Sequence, residues 1–282
     1  MHRAHTRSRA IAILAAIVTA ALIPHASGQG PGPQQLAPVE ARHIGMRIWQ
    51  NEGARNPKYL LWWNEGEAFA SLGIGHFIWY PTAQPGRFVE SFPRLLAHLE
   101  GSGVELPPWL RDAQRTGNPW PNRTAFFAAI AAHDPRTTSL RLLLERTVGE
   151  QAEFILKGLP GAHSDIVATA PHQSRATVDW RFTRLSSSPQ GLYVLADYLN
   201  FKGAGTQASE RYRGQGWGLL QVLLTLEPPR ADTDRAWLDA FASAAERVLA
   251  RRVTNAPTKR REHRWLPGWK ARIRTYRIER NP

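Results

Sequence analysis

The sequence predicts a mainly α (α+β) protein, a large helical domain that carries a small β-hairpin lobe near its N-terminal end. Three observations predict it. From about residue 88 onward, apolar residues recur at helical spacing. Residues 58–80 break that period with aromatic, β-branched and apolar residues around Asn64-Glu65-Gly66. No internal repeat or linker splits the chain into independent domains.

The elements follow in order. Residues 29–37, rich in Gly, Pro and Gln, form a flexible lead-in. Val39, Ile44, Met46, Ile48 and Trp49 predict a helix over about 38–51, with Gly53 just past its end. Tyr59 to Trp63 and Phe69 to Tyr80 predict a β-hairpin or small sheet that Pro81 ends. Helices are predicted at 88–100, 122–131, 136–146, 148–158, 172–184, 189–200, 216–227, 233–252 and 267–278. Ser188-Pro189 supplies a cap residue and a first-turn proline. Trp237, Leu238, Phe241, Ala245, Val248 and Leu249 form one apolar stripe.

Residues 1–28 read as a cleavable secretory signal. Arg3, Arg7 and Arg9 precede an apolar run from Ala10 to Ile23, and small Ala26 and Gly28 precede the cut. The run spans about 14 residues, whereas a membrane-spanning helix needs roughly 20. The chain has no Cys, so it carries neither a disulfide nor a lipidated cysteine. Export without disulfides fits a bacterial periplasm or exterior.

Net charge is +13, and residues 251–282 hold eleven Lys/Arg against two Glu. A basic C-terminal segment beyond a domain at 38–250 suits an anionic envelope polymer or contact with a membrane surface. The export signal disfavours nucleic acid as partner. The ordinary role of such a segment is a solvated tail. No His-Glu-x-x-His, phosphate loop, nucleophile motif or dinucleotide fingerprint is present, so no metal or cofactor is expected.

The informative stretch is 48–81. It runs Ile-Trp-Gln-Asn-Glu-Gly, then the hairpin, then Ser71-Leu72-Gly73-Ile74-Gly75-His76-Phe77. Here the sequence resembles the phage-type lysozymes over about 30 of the 282 residues. That family has a helix ending at a catalytic Glu and a hairpin Asp, followed by a Thr and then Gly-Ile-Gly-His. The resemblance implies a lysozyme-like helical domain. It implies that Glu52 is the general acid and that Ser71 takes the place of the Thr near the attacking water. Glu65 or Glu67 stands near the Asp position, and His76 supports the hairpin. Glu replaces Asp, Ala68 stands where the family tends to have Gly, and 24 residues separate Glu52 from His76, a few more than is usual. The same Gly-Ile-Gly-His-Phe-Ile-Trp-Tyr-Pro run is similar to that of uncharacterised exported bacterial proteins.

Glycoside cleavage needs such a pair on chemical grounds. One carboxylic acid protonates the leaving oxygen, and a second carboxylate activates water or stabilises the cationic transition state. The acid must keep its proton near neutral pH, and Trp49, Trp62 and Trp63 offer apolar walls to raise its pKa. Glu65, Glu67 and Ser71 share parity and face one side if the strand is regular. Without the resemblance, all three Glu residues read as solvated surface groups. His76 reads as a hydrogen-bonded packing residue.

A second segment, Gly218-Leu219-Leu220-Gln221-Val222, resembles the Gly-Leu-Met-Gln string of lytic transglycosylases and goose-type lysozymes. Asn200, Lys202, Tyr212 and Gln221 are expected along a sugar cleft, with Glu210 a reserve acid. Alternatively, Gln221 is incidental to a core segment. Trp63, Trp79 and Tyr80 are expected to stack on sugar rings, although core packing is the commoner use of tryptophan. The C-terminal Pro267–Arg277 stretch resembles the basic last segment of phage-type lysozymes.

The expected function is cleavage of peptidoglycan glycan strands, by hydrolysis or by internal transglycosylation. A chitosanase is disfavoured, because chitosan is cationic and this chain is basic. The rival is a wall-binding protein without catalysis.

Overall fold

Pro38 opens α1 (Pro38–Gly53) in the computed structural model, which describes residues 37–277 except 83, 85 and 87. Proline suits the first turn because its missing N–H would be unsatisfied there in any case. The Glu40 carboxylate accepts the Ala37 N–H at 3.1 Å. Gly53 is the last helical residue, and Ala54 takes the left-handed cap expected of Gly53, with φ 51°. The predicted secretory signal and most of the predicted lead-in lie outside the described residues.

The predicted hairpin is a three-stranded antiparallel sheet. It comprises β1 (Leu61–Trp62), β2 (Ala70–Leu72) and β3 (Phe77–Trp79), in that order. The Phe69–Tyr80 stretch is therefore two strands, and Gly73-Ile74-Gly75-His76 is the turn between them. Gly73 sits at φ 68°, and a Cβ there would lie 2.4 Å from Gln151 Oε1. Only glycine meets both demands. Ser71 pairs with Trp62 on one side and Ile78 on the other. Leu61, Ala70, Leu72, Phe77 and Trp79 join the main core, while Phe69, Ile78 and Tyr80 form a small separate cluster with Phe88.

Helices build the rest, and the protein is mainly α with this small sheet and a second, two-stranded one. In order they are α2 (Phe92–Gly101), α3 (Pro108–Thr116), α4 (Arg123–Ala131), α5 (Pro135–Arg146), α6 (Val148–Lys157) and α7 (Leu159–Thr169). Then come α8 (Arg175–Ser186), α9 (Pro189–Lys202), α10 (Leu219–Thr225), α11 (Asp234–Asn255) and α12 (Leu266–Arg274). The hairpin β4 (Arg211–Tyr212) and β5 (Gln215–Gly216) links α9 to α10. The sequence expectation lacks α3 and α7. Both begin with proline in the first turn, a position compatible with helix but easily read as loop. No helix among the described residues is long and apolar enough to cross a membrane.

The C-terminal segment departs most from expectation. It is no solvated tail: α12 packs on α11, and Trp269, Ile273 and Tyr276 belong to the main core. Arg252 and Arg272 are themselves buried. A boundary at 250 would cut through α11, which runs on to Asn255.

Candidate functional site

Three helices and one turn converge at the C-terminal end of α1. That end presents Asn51 and Glu52. On α9, Tyr193, Asp197 and Asn200 follow at spacings of four and three and share one face. Arg272 on α12, with Thr275 and Tyr276 just past its end, faces them, and the Gly-Ile-Gly-His turn brings His76.

Arg272 is the hub. Its Nη2 donates to Glu52 Oε1 at 2.6 Å and to Asp197 Oδ1 at 2.8 Å, and its Nε donates to Asp197 Oδ2 at 2.8 Å. Tyr276 OH donates to Asp197 Oδ2 at 2.6 Å. Asn200 Nδ2 donates to Glu52 Oε1 at 3.0 Å, and His76 Nδ1 stands 3.7 Å from Glu52 Oε2. Asn51 Nδ2 donates to Tyr193 OH at 2.7 Å and to Asp197 Oδ1 at 3.3 Å. His76 holds a left-handed φ of 49°, unusual for a residue with a Cβ.

Glu52 keeps only 8% of its surface and Asp197 none. Burial pushes the Glu52 carboxyl pKa up, but the Arg272 guanidinium, His76 and Asn200 outweigh it and hold it below the ordinary carboxylate range. Resting Glu52 is therefore a carboxylate. This corrects the expectation of a proton held by tryptophan walls, because its close partners are polar. Burial also lowers the pKa of His76, against the pull of Glu52. Burial works against the charge of Arg272, but Asp197 and Glu52 more than offset it.

A cation–aromatic stack adjoins this network. The Arg272 guanidinium lies 4.2 Å from the Phe201 ring centroid, and Lys202 Nζ lies 3.9 Å from Phe201 and 3.6 Å from Trp269. The Arg252 guanidinium lies 4.0 Å from Trp217. Burial drives the Lys202 pKa well below the ordinary lysine range. Arg252 forks onto Glu262 at 2.7 and 3.0 Å, and Tyr212 OH donates to the same carboxylate at 2.8 Å.

The structure thus brings Glu52, His76 and Asn200 together. The hairpin carboxylates lie in the Asn64–Glu67 turn, not in a regular strand, so shared parity does not align them with Ser71. Glu65 is exposed, whereas Glu67 is half-buried and accepts from Asn64 Nδ2 at 3.0 Å, with burial raising its pKa. Ser71 is buried, and its Oγ has no hydrogen-bond partner among the described residues.

The expected sugar-stacking residues are mostly core. Trp63 packs on Phe126, with ring centroids 5.7 Å apart, and Trp79 on Phe92 at 4.8 Å. Tyr80 packs on Phe69 at 5.3 Å. All three are buried, so none offers a free face. Gln221 accepts the Gly218 N–H at 2.9 Å and donates to the Gly205 carbonyl at 3.1 Å, so it ties two backbone segments together. Tyr212 and Lys202 belong to the stack around Glu262 and Trp269. Glu210 is half-buried and accepts the Gln207 N–H at 3.1 Å.

Sequence reasoning missed Arg272 and Asp197. Asp197 is the one acid in the apolar run Leu192–Leu199, a pattern that signals a paired buried charge. Arg272 has no such local signal, being one of many cations in its segment. Among the described residues no cluster of His, Cys, Asp and Glu suits a metal ion. Comparison of the chain with protein-family models, curated proteins and solved structures yields no match.

Proposed function

We propose that the protein acts on glycan strands of peptidoglycan in the bacterial envelope, periplasmic or secreted, and cleaves them with Glu52 as the proton-exchanging residue. The observation that supports this is the setting of Glu52. It is a nearly buried carboxylate at a helix end, 3.7 Å from the histidine of the Gly-Ile-Gly-His turn and anchored by Asn200 and Arg272.

In the resting state Arg272 keeps Glu52 ionised. A neutral sugar seated against it would strip the remaining water and move its pKa upward. Glu52 would take a proton from solvent as the sugar docks and deliver it to the glycosidic oxygen; as that C–O bond breaks, water or an internal hydroxyl would bond to the anomeric carbon and return its proton to Glu52. Asp197 is fully buried beneath Arg272 and Tyr276, so it holds Arg272 in place and is not the carboxylate that meets water. Of the two hairpin carboxylates, Glu67 is the anchored one. An internal hydroxyl as attacking group would need no second carboxylate.

The second reading, a glycan-binding protein without catalysis, is favoured by the lowered Glu52 pKa and its tight pairing. One experiment separates the two. Purified protein lacking residues 1–28, and its Glu52→Gln variant, are incubated with isolated sacculi. Muropeptide release that disappears in the variant supports the enzyme, and the product ends distinguish hydrolysis from transglycosylation. Co-sedimentation without release supports the binder. Neither release nor co-sedimentation ends both readings.

A further inference from the structure

We infer that the groove between the end of α11 and the start of α12 is a binding site for phosphate groups of a soluble polyanion. This inference is independent of the reading of Glu52. The groove is open and encloses about 760 Å³; Arg261, His263 and Arg264 line it, Thr254 and Thr258 add hydroxyls, and Val253, Ala256 and Pro257 supply small apolar surface. That volume is in the range of small-molecule sites.

Charge decides the ligand. The carboxylate in the groove wall, Glu262, is already satisfied by both guanidinium nitrogens of Arg252 and by Tyr212 OH. Arg260 adds a further contact at 3.4 Å. Arg261 and Arg264 have no acidic partner among the described residues, and both are exposed. Exposed Lys259 and Arg260 flank them. The β4–β5 hairpin adds exposed Arg211 and Arg213, and it is joined to this region by Tyr212–Glu262 and by Asn255 Nδ2 donating to Gln215 at 3.2 Å. The surface therefore gathers exposed cations around a concavity, and Arg261 and Arg264 in its wall lack an acidic partner among the described residues. Guanidinium forks match phosphate oxygens in a bidentate manner.

Shape and polarity separate a soluble polymer from a lipid surface. The large exposed hydrophobics of the described residues are Val39, Val89, Leu142 and Trp180, and none borders the groove. A membrane-seated face would carry apolar side chains to enter the headgroup layer.

The test uses the full chain without residues 1–28, with inorganic pyrophosphate and a short polyphosphate as probes in calorimetry at low ionic strength. Saturable binding is expected. In the Arg261→Gln/Arg264→Gln variant it should be at least about tenfold weaker, each lost charge-assisted hydrogen bond being worth close to that factor. The variant should keep the wild-type thermal midpoint, because both side chains are exposed. Arg274→Gln, on exposed α12 surface away from the groove, should leave binding within about twofold if the effect is local. Equal losses in the two variants, or none in either, would overturn the proposal. So would binding to anionic vesicles but not to polyphosphate, which would assign the cations to a lipid surface instead.

Discussion

Arg272 and Glu52, 220 positions apart in sequence, meet at 2.6 Å at the C-terminal end of the first helix. The same guanidinium forks onto Asp197 of α9. One cation from the last helix therefore balances two carboxylates, one from α1 and one from α9, all within a nearly water-free region.

Replacing that cation should be costly. Arg272→Met keeps much of the volume but leaves Glu52 and Asp197 buried without a counter-charge. Removing one partner of a buried pair costs about 3–5 kcal/mol, and urea unfolding at neutral pH should read a loss of that order. Arg272→Lys keeps the charge without the fork and should fall between. A loss below about 1 kcal/mol in the methionine variant would mean that the network is solvated, as exposed ion pairs are.

Acid should destabilise the fold in two stages. The pKa of His76 is lowered from 6.5 by burial, so below pH 6.5 the unfolded chain binds protons that the folded chain refuses. Stability from His76 is thus present above 6.5 and lost as pH falls through its folded value. The Glu52 pKa is lowered from 4.5 by Arg272, so its contribution is present above 4.5 and lost as pH falls further. His98 and His163 act with the same sign as His76. Unfolding free energy measured from pH 7 to 5 should decline less in His76→Gln, by at most about 1.4 kcal/mol per pH unit. Identical slopes would show that His76 titrates alike in both states.

Gln221 and Gly205 should behave as a coupled pair. Gly205 sits at φ 78°, and a Cβ there would lie 2.0 Å from Gln221 Oε1. Gly205→Ala therefore combines backbone strain with a clash and should cost about 1–3 kcal/mol. Gln221→Ala strands the Gly218 N–H and the Gly205 carbonyl and should cost about 1–3 kcal/mol. In the double variant the clash with Gln221 has gone and only the 3.0 Å approach to Gly218 Cα remains, so the sum should overshoot the measured loss by at least about 0.5 kcal/mol. Strict additivity in denaturant titrations would remove the contact from the explanation.

What the sequence disclosed follows the range of its signals. Helix periodicity and caps are local, and α1, α9 and α11 are legible from them: Ser188 accepts the Gly191 N–H as its cap position predicts. The small sheet was legible from composition, but its second turn was hidden inside an apolar run. The pairings Asp197–Arg272 and Arg252–Glu262 were not legible, because pairing across 75 positions or more, or across a loop, leaves no periodic trace, even where a lone acid in an apolar run such as Asp197 signals that a partner exists. The same limit explains the tryptophans. Their composition is equally compatible with sugar stacking and core packing, and only tertiary contacts separate the two.

The C-terminal segment gives the sharpest contrast between sequence and fold. As a solvated basic tail, residues 251–282 would be dispensable, and a chain ending at Ala250 would unfold at the wild-type midpoint. In the structure that deletion removes Trp269, Ile273 and Tyr276 from the core and truncates α11. It also removes Arg272 from Glu52 and Arg252 from the cation–aromatic stack. Burial of an aromatic or large aliphatic side chain contributes about 1.5–3 kcal/mol, so three such losses with two buried ion pairs exceed the lower end of the 5–15 kcal/mol that typically holds a domain folded. The truncated chain should lack a cooperative thermal transition by near-ultraviolet circular dichroism. Neutralising exposed cations of the same segment, as in Lys259→Gln or Arg274→Gln, should leave the midpoint unchanged, since such surface changes fall within about 0.5 kcal/mol. A cooperative transition in the truncated chain close to the wild-type midpoint would show that α12 is an appendage and would separate Arg272 from the stability of the site.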